Sequence, residues 1–107
     1  MPDQQIWQDL STVQSKLNAT PKTIASAATI APTTFLSLIT GTVAIATVTP
    51  PMDGAHLLCF LFTTTTPVAF TTTGGNIKYV ATPTTNIPMF LVYNPIDSKY
   101  YPGEVTT

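Results

Sequence analysis

The sequence contains no arginine, one histidine (His56), one cysteine (Cys59) and only nine charged residues in 107: four Lys, four Asp and one Glu. Without arginine, and with lysines scattered at 16, 22, 78 and 99, the chain lacks the clustered cations that hold a phosphate backbone, so no nucleic-acid partner is expected. A lone cysteine excludes an intrachain disulfide. His56 and Cys59 are three apart, which on a strand sends them to opposite faces. They make poor co-ligands, and no metal or cofactor is expected. The longest apolar run, His56-Leu-Leu-Cys-Phe-Leu-Phe62, is seven residues, against ~20 for a membrane span. The N-terminus, MPDQQIWQDLS, has neither a basic start nor an apolar stretch, so no secretory leader is expected. The charged share is 8%, where soluble proteins average about 25%. Such a chain must stay dispersed through threonine hydroxyls, or other subunits must cover much of its surface.

What is abundant is threonine, with 22 residues, and proline, with ten. The length suits one domain with a modest core. The first twenty residues stand apart. Ile6, Leu10, Val13 and Leu17 recur at intervals of four, three and four, and Trp7 widens the stripe. This predicts a short amphipathic helix with the rhythm of a coiled coil. A helix of about fourteen residues is marginal alone and must pack on its own domain, on sister helices or on another protein. Residues 1–20 are therefore read as a helix or anchor arm, and 21–107 as a β domain.

From Thr23 onward β-formers dominate, punctuated by turns at Pro50–Gly54, Gly74–Gly75, Thr82–Pro83 and Asn94–Pro95. Strands are predicted over 23–30, 35–39, 42–48, 56–62, 68–70, 76–80 and 88–94, with a short last one at 99–101 before Pro102. Apolar residues of both parities in 56–62 predict a strand buried on both faces. Turns every 8–12 residues with no helical signal between them predict an all-β fold: an antiparallel sandwich or barrel, or a trimeric β-prism-like body, with a short N-terminal helix. Parallel βαβ units are not expected.

Chemistry is sparse. A nucleophilic triad needs a base and an orienting acid. Only His56 could be the base, with Asp53 nearest, and Asp53 fits the turn better. The chain is not read as an enzyme. Tyr93, Tyr100 and Tyr101, with Asn94, Asp97 and Lys99 among them, form a candidate recognition surface, since such groups stack on and hydrogen-bond to sugars and proteins. Edge-strand packing is the plainer explanation.

The stretch from Ile30 to Phe62, then Thr71–Val80 with its Gly-Gly-Asn-Ile turn, then Leu91–Tyr101, resembles a pattern common in small virion proteins of tailed bacteriophages. These include head decoration proteins, head fibres, and knob segments of tail fibres and spikes. The resemblance covers about seventy residues. It implies a homotrimer whose strands wrap a shared axis, no catalytic residues, and a role in assembly. Taken as a free-standing chain, the protein looks more like a decoration or head-fibre protein than a tail knob. The expected partners are its own copies and the major capsid protein, with no membrane or nucleic acid. The expected location is the capsid exterior, after synthesis in the host cytoplasm. Ile6, Trp7, Leu10, Val13 and Leu17 are the candidate capsid-binding or oligomerisation residues. The alternative is a receptor- or glycan-binding tip of a tail fibre or spike, using Tyr93, Tyr100 and Tyr101.

Overall fold

The computed structural model describes residues 20–104. The predicted helix, with Ile6, Trp7, Leu10, Val13 and Leu17, lies outside the described residues. Within them there are seven strands and no helix: β1 Lys22–Ala25, β2 Thr29–Ile30, β3 Leu36–Thr40, β4 Thr47–Val48, β5 His56–Phe62, β6 Met89–Asn94 and β7 Lys99–Glu104. The all-β class is observed. The antiparallel arrangement is not. A five-stranded sheet runs in the order β1-β3-β5-β6-β7, and β2 and β4 form a small second sheet. β1, β3 and β5 are mutually parallel, as are β2 and β4, and only β5-β6 and β6-β7 are antiparallel.

Parallel neighbours require a crossover, normally a helix. Here extended chain does that job. The polypeptide leaves the large sheet after β1, lays two residues into the small sheet as β2, and returns as β3. It repeats the excursion through β4 before β5. The small sheet is held by its own ladder and by Ala46 and Thr47 N–H groups, which both donate to the Ala28 carbonyl at 2.9 Å. The predicted strand over 23–30 is therefore two strands split by a bend, and that over 42–48 shrinks to Thr47–Val48. The segments 68–70 and 76–80 are not strands. Their donors go to single partners, Phe70 N–H to Ala81 and Lys78 N–H to Tyr100.

The core fills the space between one face of the large sheet and the layer made by these excursions. Ile39, Leu58, Phe60, Phe62, Met89, Leu91 and Tyr100 project from the sheet. Ile30, Ile45, Val48, Phe70 and Ile77 come from the opposing layer. Asn76 ties the layer together by imitating a strand. Its Oδ1 accepts from Val48 N–H at 2.9 Å and its Nδ2 donates to Val48 O at 2.7 Å. The chain reaches that position through Gly74, at φ +73°, and Gly75, where a Cβ would lie 1.7 Å from the Ala46 carbonyl oxygen. The first glycine supplies a left-handed turn and the second permits backbone contact.

β7 outruns its predicted end at Pro102. Tyr100 N–H and C=O face away from β6, to Asn76 O at 2.8 Å and Lys78 N–H at 2.9 Å. Two residues on, Pro102 has the same orientation, so its missing N–H costs no bond to β6. Residues 76–78 thus seal this edge of the sheet.

Candidate functional site

His56, Tyr93 and Tyr100 lie side by side on β5, β6 and β7, as register partners. The His56 ring stacks on Tyr93 (centroids 4.9 Å apart, 23° between planes), and Tyr93 tilts against Tyr100 at 4.8 Å. His56 Nδ1 lies 2.8 Å from the Gly54 carbonyl, which can only accept, so Nδ1 carries the proton. Nε2 then accepts from the Tyr100 hydroxyl at 2.7 Å. Both ring nitrogens are committed, and neither is left for Asp53 or a substrate. Tyr100 is fully buried, and burial, with Tyr93 alongside, raises its phenol well above the ordinary value. Tyr100 is therefore a structural residue and offers no surface to a ligand. Its place in the predicted recognition set does not hold.

Tyr93 and Tyr101 stay half-buried and accessible. Tyr93 separates two open clefts. One, of about 630 Å³, is lined by Pro50, Pro51, Met52, Asp53, Gly54, Tyr93 and Pro95. The other, of about 440 Å³, is lined by Ala55, Val92, Tyr93, Asn94 and Tyr101. The polar groups beside them are used locally. Asn94 Oδ1 accepts from Ile96 N–H at 3.0 Å, and Asp97 Oδ1 from Lys99 N–H at 3.2 Å. The Tyr101 hydroxyl donates to Asp97 Oδ2, and Lys78 Nζ lies 3.5 Å from the same oxygen. Tyr101, backed by the Lys99 N–H and Lys78, holds the Asp97 carboxyl below its usual range. These contacts lock the β6–β7 turn, which carries Ser98 at φ 56°.

The other face of the large sheet is different in kind. Strand alternation places Leu36 and Leu38 of β3, Leu57, Cys59 and Leu61 of β5, Phe90 and Val92 of β6, and Tyr101 of β7 on the side away from the core. The register aligns them in rows: Leu57, Val92 and Tyr101 in one, and Leu36, Cys59 and Phe90 in the next. Leu57 is 40% exposed and Val92 50%, while Leu36, Leu38, Leu61, Phe90 and Tyr101 are half-buried. β5 is thus more deeply buried on its core face than on its outer one. On the outer face only Cys59 is buried, and desolvation raises its thiol. His56 and Cys59 do point to opposite faces. Among the described residues no group of three or more His, Cys, Asp or Glu could hold a metal ion.

No protein-family model, curated protein or solved structure matches the chain.

The apolar residues of both parities in 56–62 mark a second face that sister subunits can cover, and the structure extends that face across Phe90 and Val92 of β6. Sequence reading missed Asn76, whose side chain does a backbone's work.

Proposed function

We propose that the chain is a structural assembly protein that works by burying apolar surface between subunits. In this reading it is a homo-oligomer, a trimer, on the capsid exterior of a bacteriophage as a decoration or head-fibre protein. Its partners are its own copies and the major capsid protein, and residues 1–20 supply the attachment arm. It is not an enzyme and uses no cofactor. The observation that carries the assembly role is the outer face of the large sheet, a contiguous apolar surface with Leu57 and Val92 open to water on a chain with 8% charged residues. Surfaces of this kind on soluble proteins mark interaction sites. The particle-level part rests on the sequence resemblance over residues 30–101. Multi-angle light scattering tests the reading. A mass three times 11.4 kDa is expected, and a well-behaved monomer at high concentration overturns it.

A second reading, a receptor- or glycan-binding tip, is favoured by the two clefts on either side of Tyr93. It now rests on Tyr93 and Tyr101 alone. Saturable binding on a glycan array, abolished by Tyr93→Ala or Tyr101→Ala, would select it.

A further inference from the structure

We propose that the outer face of the five-stranded sheet is the self-association surface, packed against the same face of sister copies with Cys59 near the centre of the contact. This rests on the oligomeric reading above and names the occupant of its key surface.

Contact between identical faces sets side chains against their own kind, so a face carrying one sign of charge repels itself. The outward positions of β1, β3, β5 and β6 carry no charged residue at all. Charge enters only at the β7 border, with Lys99 and with the Asp97–Lys78 pair gathered on Tyr101, and there it is of both signs. With strands ~4.8 Å apart and a rise of ~3.4 Å per residue, the five strands have a flat footprint of roughly 450 Å². In a trimer each face is shared between two neighbours, so the three footprints bury roughly 1,350 Å² in all before side-chain relief is added, the scale of one specific interface.

The rival occupant is the helix that the sequence predicts within residues 1–19 of the same chain. A helix with its side chains is ~10–12 Å across, whereas five strands span ~19 Å between outermost axes. One helix would cover about half of the face. The sequence stripe Ile6, Leu10, Val13, Leu17 is also a narrow seam, suited to another helix rather than to a broad sheet. Of the sheet's other surfaces, only the four-residue β1 edge has no paired chain beside it among the described residues. Its inner face is filled by the core, and the β7 edge is sealed by residues 76–78.

The test is the mass of full-length variants by light scattering, with far-UV circular dichroism recorded alongside. The double variant Leu57→Lys, Val92→Lys is expected to keep the wild-type spectrum and fall about threefold in mass, to 11.4 kDa. Val80→Lys, at a position 61% exposed and outside the large sheet, is expected to keep the oligomer, as is Leu10→Asp. A double variant of undiminished mass overturns the proposal and leaves the oligomeric reading standing. So does dissociation by Leu10→Asp alone, which moves the contact to the N-terminal segment. A monomeric wild-type chain removes both. Should the double variant lose its β spectrum, Val92→Thr decides instead. It suits a strand, and a rise of about tenfold in the dissociation constant is expected, while no rise counts against the proposal.

Discussion

His56 on β5 and Tyr100 on β7 are joined by a 2.7 Å hydrogen bond across the intervening strand, with Tyr93 stacked against the histidine. Three strands are thereby tied at one end by side chains as well as by backbone. Tyr100→Phe keeps the ring and removes the donor, leaving a partly buried imidazole nitrogen without its partner. The expected cost is about 1–2 kcal/mol, read as a lower urea midpoint with an unchanged slope. A midpoint equal to wild type would mean that the bond contributes nothing.

Ser37 gives the opposite sign. It is fully buried among Ile39, Phe60 and the rest of the core side of the sheet, and its Oγ has no hydrogen-bond partner. An unsatisfied buried hydroxyl costs about 1–3 kcal/mol. Ser37→Ala should therefore raise stability by roughly 1 kcal/mol, seen as a higher Tm. A lower Tm would show that the hydroxyl has a partner, such as an internal water.

The two adjacent glycines separate two kinds of constraint. At Gly74 a Cβ meets open space but the backbone is left-handed, so Gly74→Ala should cost only about 1 kcal/mol. At Gly75 the Cβ would overlap the Ala46 carbonyl, and relief requires the small sheet to move away from Asn76. Gly75→Ala should cost more than about 3 kcal/mol, among the largest effects of single substitutions. Thermal melts of the pair check the order, and a Gly74 variant less stable than the Gly75 variant would contradict it.

Much of the fold was legible where residues speak locally. The runs 36–40, 56–62 and 89–94 read as strands because apolar β-formers fill them between strong turns. The topology was not. Nothing in Ser26–Ala28 or Thr42–Ala46 distinguishes a crossover from a hairpin return, because extended chain satisfies its donors either way. The outcome is set by long-range pairs such as Thr71 N–H with Ile45 O, at 3.0 Å. The tyrosine cluster was visible by composition, but which member faces water depends on register: one residue separates buried Tyr100 from accessible Tyr101.

Asp97 makes the β6–β7 turn sensitive to acid. Its carboxyl is held below the ordinary value, first by Tyr101, then by Lys99 N–H and Lys78. A depressed folded value means the stabilisation is complete above the unfolded value of ~3.9 and is lost as pH falls through the lower folded one. The wild type should therefore lose more stability than Asp97→Asn between pH 5 and the acid limit, and the gap between the two should close. Parallel loss in both proteins would place the acid sensitivity elsewhere, and exposure of the site keeps the effect small.

The division of labour between the sheet face and residues 1–20 yields the last expectation. If copies are joined through Leu57 and Val92, removing residues 1–20 leaves the core contacts of the described residues intact, because every member of that core lies between Ile30 and Tyr100. The truncated chain should then remain a folded oligomer of correspondingly smaller mass. If residues 1–20 are the attachment arm proposed above, it should no longer bind particles, because the apolar stripe from Ile6 to Leu17 is gone and with it the repeated weak contacts that add up by multivalency. Co-sedimentation with purified capsids, alongside light scattering of the unbound protein, reads both properties in one preparation. Binding equal to that of the full chain would sink the assignment of the arm and move attachment to the clefts beside Tyr93.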